Sequence, residues 1–178
     1  YSIIHEPSNS NTISNNTINS IYKEGDILWI GTAGGGLNKL SINEEKNIRF
    51  EYEPGNNMSI NSDFISSIFR DSNKNLWVGT WGGGINLSLS ENKNQFRIFY
   101  NTADPASLCN SFISCFEELD KTKILVGTNN GLDIFTPGVN SFLHVHDKMN
   151  LENAVEVGCL FTDKKQRVWM GTRNGLFR

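Results

Sequence analysis

A large excess of charge of either sign is missing from this chain. Sixteen Lys and Arg face nineteen Asp and Glu, a formal net charge of −3, with no charge block and no basic stripe. Nucleic acid, which is gripped by a concentrated cationic surface, is therefore not an expected partner. Long apolar runs are missing as well, and no stretch reaches the roughly 20 residues that a membrane-crossing helix needs. No window repeats apolar residues at i, i+3, i+4 and i+7 through three turns, which disfavours a helical solenoid. The sequence starts at Tyr1, with neither an initiating Met nor a signal peptide. It reads as an excised or mature piece, and this says nothing of where the parent protein resides.

Signatures of chemistry are equally scarce. Ser, His and Asp occur, but no nucleophile elbow and no paired acid and base at fixed spacing, so no enzyme activity is expected. His144 and His146 have a metal-like i, i+2 spacing, yet no carboxylate or cysteine cluster completes a set. Asp71-Ser72-Asn73-Lys74-Asn75 opens like a calcium loop, but Leu76 stands where Gly is required and no Glu follows at the twelfth position. An Asx-type hairpin turn is the better reading, and neither metal nor cofactor is expected. The three cysteines, Cys109, Cys115 and Cys159, leave at least one unpaired within the chain. They read as small packing residues rather than bridges or nucleophiles.

What is present is a sentence written four times. Leu28-Trp29-Ile30-Gly31-Thr32-Ala33-Gly34-Gly35-Gly36-Leu37-Asn38 returns as Leu76-Trp77-Val78-Gly79-Thr80-Trp81-Gly82-Gly83-Gly84-Ile85-Asn86, as Ile124-Leu125-Val126-Gly127-Thr128-Asn129-Asn130-Gly131-Leu132-Asp133, and as Val168-Trp169-Met170-Gly171-Thr172-Arg173-Asn174-Gly175-Leu176. Trp29, Trp77, Leu125 and Trp169 are separated by 48, 48 and 44 residues. Each motif is preceded by a short apolar strand: Ile18 with Ile21, Ile65 with Ile68, Ile113 with Phe116, Val157 with Leu160. After it come a polar turn and a second apolar or aromatic stretch, ending on Ile48 and Tyr52, Phe96 and Tyr100, Phe142 and His146. Since Tyr52 follows Trp29, and Tyr100 follows Trp77, by 23 residues, these positions are expected to be equivalent, which would make His146 a packing residue.

One unit thus reads as strand A (65–69), a turn, strand B (76–79), the Gly-rich turn, strand C (84–89), a turn near Asn92 and strand D (96–100). Four short strands in a 44–48-residue repeat, with Gly and aromatics at fixed places, define β-propeller blades. The expected fold is all-β, four-stranded antiparallel blades with strand A innermost, at about residues 17–52, 64–100, 112–146 and, truncated, 156–178. Tyr1 is expected to be the tail of an earlier strand D. Four blades of this size take on the order of 190 residues and seven about 340, so the chain is expected to be about four blades of a larger, seven-bladed ring.

Trp29, Trp77, Leu125 and Trp169 are expected to fill the seams between blades, and Gly31, Gly79, Gly127 and Gly171 to leave room for them. Leu125, lacking an indole, should pack its blade less fully. Within Gly82-Gly83-Gly84 at least one positive φ is expected. Ile13, Ile60, Leu108 and, in the last linker, Leu151 should plug the inter-blade connections onto the body. Cys115 and Cys159, at the places of Ser20 and Ser67, are expected to face the central channel. The apolar faces behind Trp29 and Trp169 should need covering, by further blades of the parent or by a second copy of the chain.

The motif Leu-Trp-[Val/Ile]-Gly-Thr-x-Gly-Gly-Gly-[Leu/Ile]-Asn, with its preceding Ile-x-x-Ile and the Ser-[Ile/Leu]-x-[Asn/Ser] linker, resembles the two-component regulator propeller repeat over essentially the whole chain. That repeat is best known from the periplasmic part of hybrid sensor kinases of Bacteroides-type bacteria. The resemblance implies a parent with tandem propellers, an immunoglobulin-like domain, one membrane helix and a histidine kinase, none of whose motifs stands here. It further implies a periplasmic, non-catalytic sensor segment whose ligand is an oligosaccharide. A stand-alone binding or scaffold propeller, and less so a polysaccharide lyase-type propeller, remain the alternatives.

The family's Trp, Gly and Thr positions are architectural, so ligand contacts must come from where the units differ. Ala33, Trp81, Asn129 and Arg173 occupy one turn position in the four units. Trp81 is the leading candidate, beside glycines that cannot bury it, with Asn129, Arg173, Asn61, Asp63, Asn110 and His144 as polar neighbours. The alternative for Trp81 is packing against an adjacent blade or domain.

Overall fold

The computed structural model describes residues 2–89, 95–145 and 155–178. Tyr1, the turn near Asn92, His146 and Leu151 lie outside the described residues. The first sheet orders β1 (Ile18–Glu24), β2 (Ile27–Thr32), β3 (Leu37–Ser41) and β4 (Lys46–Phe50) as an antiparallel meander. The second repeats it with β5 (Ile65–Arg70), β6 (Leu76–Thr80), β7 (Ile85–Ser88) and β8 (Arg97–Phe99). The third has β9 (Ile113–Asp120), β10 (Lys123–Thr128), β11 (Gly131–Thr136) and β12 (Ser141–His144). The fourth contains β13 (Val157–Thr162), β14 (Val168–Thr172) and β15 (Gly175–Phe177). There is no helix among the described residues.

The first strands of consecutive sheets, β1, β5, β9 and β13, pack on one another, so strand A is the inner strand. Each carries a bulge after its first residue. The extra residue is left unpaired within its own sheet and is free to reach across the seam. Asn19 Nδ2 donates to the Ile65 carbonyl at 2.9 Å, and the Ser114 hydroxyl donates to the Val157 carbonyl.

Side chains alternate between two seams. Trp77 is fully buried between blades two and three, against Phe116 and Phe135. Its indole N–H donates to Asp71 Oδ2 at 2.9 Å. The same carboxylate accepts from Asn75 N and Nδ2, each at 2.8 Å, so the turn before strand B is an Asx turn whose acid also anchors the seam. Trp29 and Leu125 are buried in the preceding and following seams. Trp169, in blade four, is only half-buried because no other blade among the described residues packs on its face, and Phe161 and Leu176 are exposed beside it. Trp29 by contrast faces blade two, so the open face of blade one is the opposite one. There Ile21 is exposed, while Ile13 covers Ile30 and Leu40.

In blades one to three the glycine of the Gly-Thr pair lies against the next strand A. A Cβ on Gly31 would come 2.5 Å from Ile65 Cγ2, and one on Gly127 would come 2.8 Å from Val157 Cγ1. Ser20, Ser67, Cys115 and Cys159 pair with these glycines across the sheet. Cys115 Sγ consequently sits in the seam with Leu125 and Val157, not in the channel, because it shares the face of the glycine opposite.

Strand D departs from the expected register. Phe50 pairs with Leu37 and Phe99 with Ile85, so Phe50 and Phe99 are equivalent and Tyr52 matches Asn101 rather than Tyr100. The equal 23-residue intervals conceal a one-residue slip, which exchanges the faces of the strand. Ile48 is accordingly exposed while Phe96 is buried, and Tyr52 and Tyr100 are both about half exposed. The packing role expected at Tyr52 and Tyr100 belongs to Phe50 and Phe99, whose rings meet Phe96 and Phe135 at 5.7 and 5.1 Å.

Candidate functional site

In every blade the motif threonine closes the turn between strands B and C onto a glycine carbonyl, four residues on in blades one and two and three residues on in blades three and four. Thr80 Oγ1 donates to the Gly84 carbonyl at 2.8 Å, and Thr32, Thr128 and Thr172 close their turns onto Gly36, Gly131 and Gly175 at 2.9 Å. The motif threonine is thus a clasp. Gly82 and Gly84 both take positive φ, 90° and 82°, and a Cβ on Gly84 would strike the Phe99 carbonyl.

The clasp holds the following residue in a backbone belt along the inner rim. Ala33 N donates to Thr17 O at 3.0 Å, Trp81 N to Phe64 O at 3.0 Å and Asn129 N to Phe112 O at 3.1 Å. Across the seams, Ala33 bridges Phe64 and Trp81 bridges Phe112. The belt runs Thr17, Ala33, Phe64, Trp81, Phe112, Asn129, and the corresponding residues of blade four are Glu156 and Arg173. Their side chains pair at 2.8 Å.

Three consecutive belt residues are aromatic and exposed: Phe64 by 50%, Trp81 by 55% and Phe112 by 47%. The two Phe rings lie over the glycine turns of the preceding blades, each 3.5 Å from where a Cβ of Gly34 or Gly82 would stand. Trp81 is thus not buried by its neighbour. The belt then turns polar through exposed Asn129, half-buried Glu156 and Arg173, whose side chain is 78% exposed. Phe64 and Phe112 escaped the sequence reading. Their signal was an aromatic immediately before strand A, present in blades two and three and replaced by Thr17 and Glu156 elsewhere.

The remaining candidates make hydrogen bonds within the fold. Asn61 N donates to Asn86 Oδ1 at 2.9 Å, and its Nδ2 donates to the Gly83 carbonyl. Asp63 Oδ1 accepts from Tyr52 N at 2.7 Å, and its carbonyl accepts from Gly34 N and Gly36 N. Asn110 Oδ1 accepts from Phe112 N at 2.7 Å and so fixes the belt from behind. His144 lies on strand D of blade three, its Nδ1 2.7 Å from Asp133 Oδ1.

That contact belongs to a latch that repeats. Ile13, Ile60 and Leu108 are buried as plugs. The residue after each plug is caught by a buried polar side chain of strand C: Ser14 N on Asn38 Oδ1 at 3.0 Å, Asn61 N on Asn86 Oδ1, and Cys109 N on Asp133 Oδ2 at 2.8 Å. In blade three the acceptor has become a fully buried carboxylate, with His144 beside it. Cys109 Sγ lies 3.2 Å from Thr128 Oγ1. Burial, followed by the Asp133 charge, pushes its thiol up to about 12. A thiol held in its protonated form is a poor nucleophile, although Cys, His and Asp stand together. Elsewhere, a cavity of about 560 Å³ between the N-terminal segment and blade one is lined by Ile3, Ile4, Leu28, Leu40 and Ile42, and shares no residue with the belt.

Radially packed four-stranded meanders define a β-propeller, of which this chain is a part. Residues 59–82, from the second linker through the Gly-rich turn, match the family described as two component regulator propeller. The fold matches the extracellular domain of the hybrid two component system BT3049 from B. thetaiotaomicron, with TM-score 0.83 and 24% identity, over 99% of this chain and 24% of that one. It matches the extracellular domain of the hybrid two component system BT4673 of the same organism with TM-score 0.72 and 21% identity, over 90% of this chain and 20% of that one. The computationally designed Ika4 protein matches with TM-score 0.63 and 15% identity, over 99% of this chain and 97% of that one. The chain therefore spans about a quarter or less of the two natural domains. No curated protein matches it.

Proposed function

We propose that this chain is a non-catalytic sensor segment of a hybrid two-component regulator, placed in the periplasm, which detects an oligosaccharide and signals to a histidine kinase outside the chain. The observation that carries the reading is the exposed row Phe64, Trp81 and Phe112 on the inner rim. Aromatic faces held by backbone pairing stack on the apolar C–H side of a sugar ring with little ordering cost. Asn129, Glu156 and Arg173 continue the belt with groups that exchange hydrogen bonds with hydroxyls. The regulator-propeller match at residues 59–82 supports the sensor role over a stand-alone scaffold.

The test is calorimetry of the purified chain against defined oligosaccharides, first selected on a glycan array, with Trp81→Ala, Phe64→Ala and Phe112→Ala alongside the parent. Saturable binding weakened by each change supports the reading. Absence of binding throughout the array, or affinity indifferent to all three changes, rejects it. Autophosphorylation of the full-length parent in response to the same sugar tests the signalling step.

A further inference from the structure

We propose that blade three carries a binding site for a transition-metal dication of the zinc class, with the Cys109 thiolate, the Asp133 carboxylate and the His144 imidazole as three ligands and water as the fourth. One ligand atom from each residue lies within 4.8 Å of the others. Four-coordinate zinc, with bonds of about 2.0 to 2.3 Å, separates its ligands by about 3.3 to 3.7 Å. The Asp133–His144 contact of 2.7 Å must open by roughly half an ångström, and the sulfur must close in. Both are side-chain rotations at the ends of an otherwise fixed frame.

The comparison between blades singles this place out. Where blade three has Cys109, Asp133 and His144, blade one has Ser14, Asn38 and Arg49, and blade two has Asn61, Asn86 and Ile98. All three positions change together, and each becomes a metal ligand. The latch alone does not require this, because Asn38 and Asn86 hold the linker N–H equally well through a neutral amide. The fully buried Asp133 carboxylate is met by Cys109 N at 2.8 Å and His144 Nδ1 at 2.7 Å, and a bound dication would neutralise it outright. A dication with one thiolate and one carboxylate makes the buried group neutral, and binding expels the thiol proton to solvent. Sulfur, imidazole and a single carboxylate select zinc over calcium or magnesium, which require more oxygen ligands. The ion would tie three segments together: the linker before strand A, β11 and β12.

The test uses the reduced chain, stripped with a chelator and titrated with Co²⁺ and then Zn²⁺. One equivalent of Co²⁺ is expected to give the intense visible bands of a four-coordinate ion and a thiolate charge-transfer band, both erased by Zn²⁺. Cys109→Ser should abolish the charge-transfer band while Cys115→Ser retains it. Serine already stands at this latch position in blade one, so the first variant keeps the fold, as circular dichroism would verify. Asp133→Asn restores the residue of blades one and two, and is expected to weaken Zn²⁺ by more than about tenfold. Failure to bind one equivalent, a charge-transfer band that survives Cys109→Ser, or unchanged affinity in folded Asp133→Asn would each overturn the proposal.

Discussion

Gly79 of blade two lies directly against Ile113 of blade three: a Cβ on Gly79 would lie 2.7 Å from Ile113 Cγ2 and 2.5 Å from Ser67 Oγ. Gly79→Ala should therefore force the seam apart and destabilise the chain by about 1–3 kcal/mol. Gly171 is the internal control, since its Cβ would meet only the exposed Cys159 Sγ at close range. Urea denaturation of both alanine variants checks this, with a clearly smaller loss expected for Gly171→Ala.

Asp71 and Trp77 supply a second test of the same seam. Removing the carboxylate by Asp71→Ala strands the buried indole N–H and takes away the acceptor of two Asn75 hydrogen bonds. A loss of about 1–3 kcal/mol is expected for the unsatisfied buried donor alone. In blade four, Asp163 accepts from the Trp169 indole at 3.0 Å, but that ring is half-buried and water can replace the acid. Equal losses from Asp71→Ala and Asp163→Ala would contradict this account.

Trp81 is open to solvent where Trp77 is not. Trp81→Ala should leave the melting temperature nearly unchanged and lower oligosaccharide affinity by about 1–2 kcal/mol, the scale of aromatic stacking. A stability loss of about 3 kcal/mol with unaltered binding would make it a packing residue.

The cysteines should differ in reactivity and in their effect on pH dependence. Burial and the Asp133 charge hold the Cys109 thiol protonated up to about 12, and burial holds Cys115 up to about 11. Iodoacetamide at pH 8.5 should modify exposed Cys159 first in metal-free chain, reaching Cys109 and Cys115 only on unfolding. Unfolded thiols ionise near pH 8.5, so above that value the unfolded state binds fewer protons than the folded one. Stability should fall as pH rises from there towards 11, and Cys115→Ser should flatten the slope.

The sequence by itself determined the period, the blade type and the strands, because Trp77, Gly79 and their counterparts answer a local demand: a plate for the seam and a gap beside it. The glycine turn was legible for the same reason, since positive φ at Gly82 and Gly84 is written into the residue type. Tertiary structure decided what depends on pairing between distant residues. The register of strand D was hidden because equal spacings of Tyr52 and Tyr100 mask a slip that only the ladder to Leu37 and Ile85 reveals. Cys115 faces a seam because it lies opposite Gly127, a matter of pleat rather than spacing. The aromatic belt is assembled by bridges between successive blades, so Phe112 meets Trp81 from 31 residues away in the chain. Cys109, Asp133 and His144 likewise come from a linker and two strands, and only the folding of blade three brings a sulfur, a carboxylate and an imidazole together.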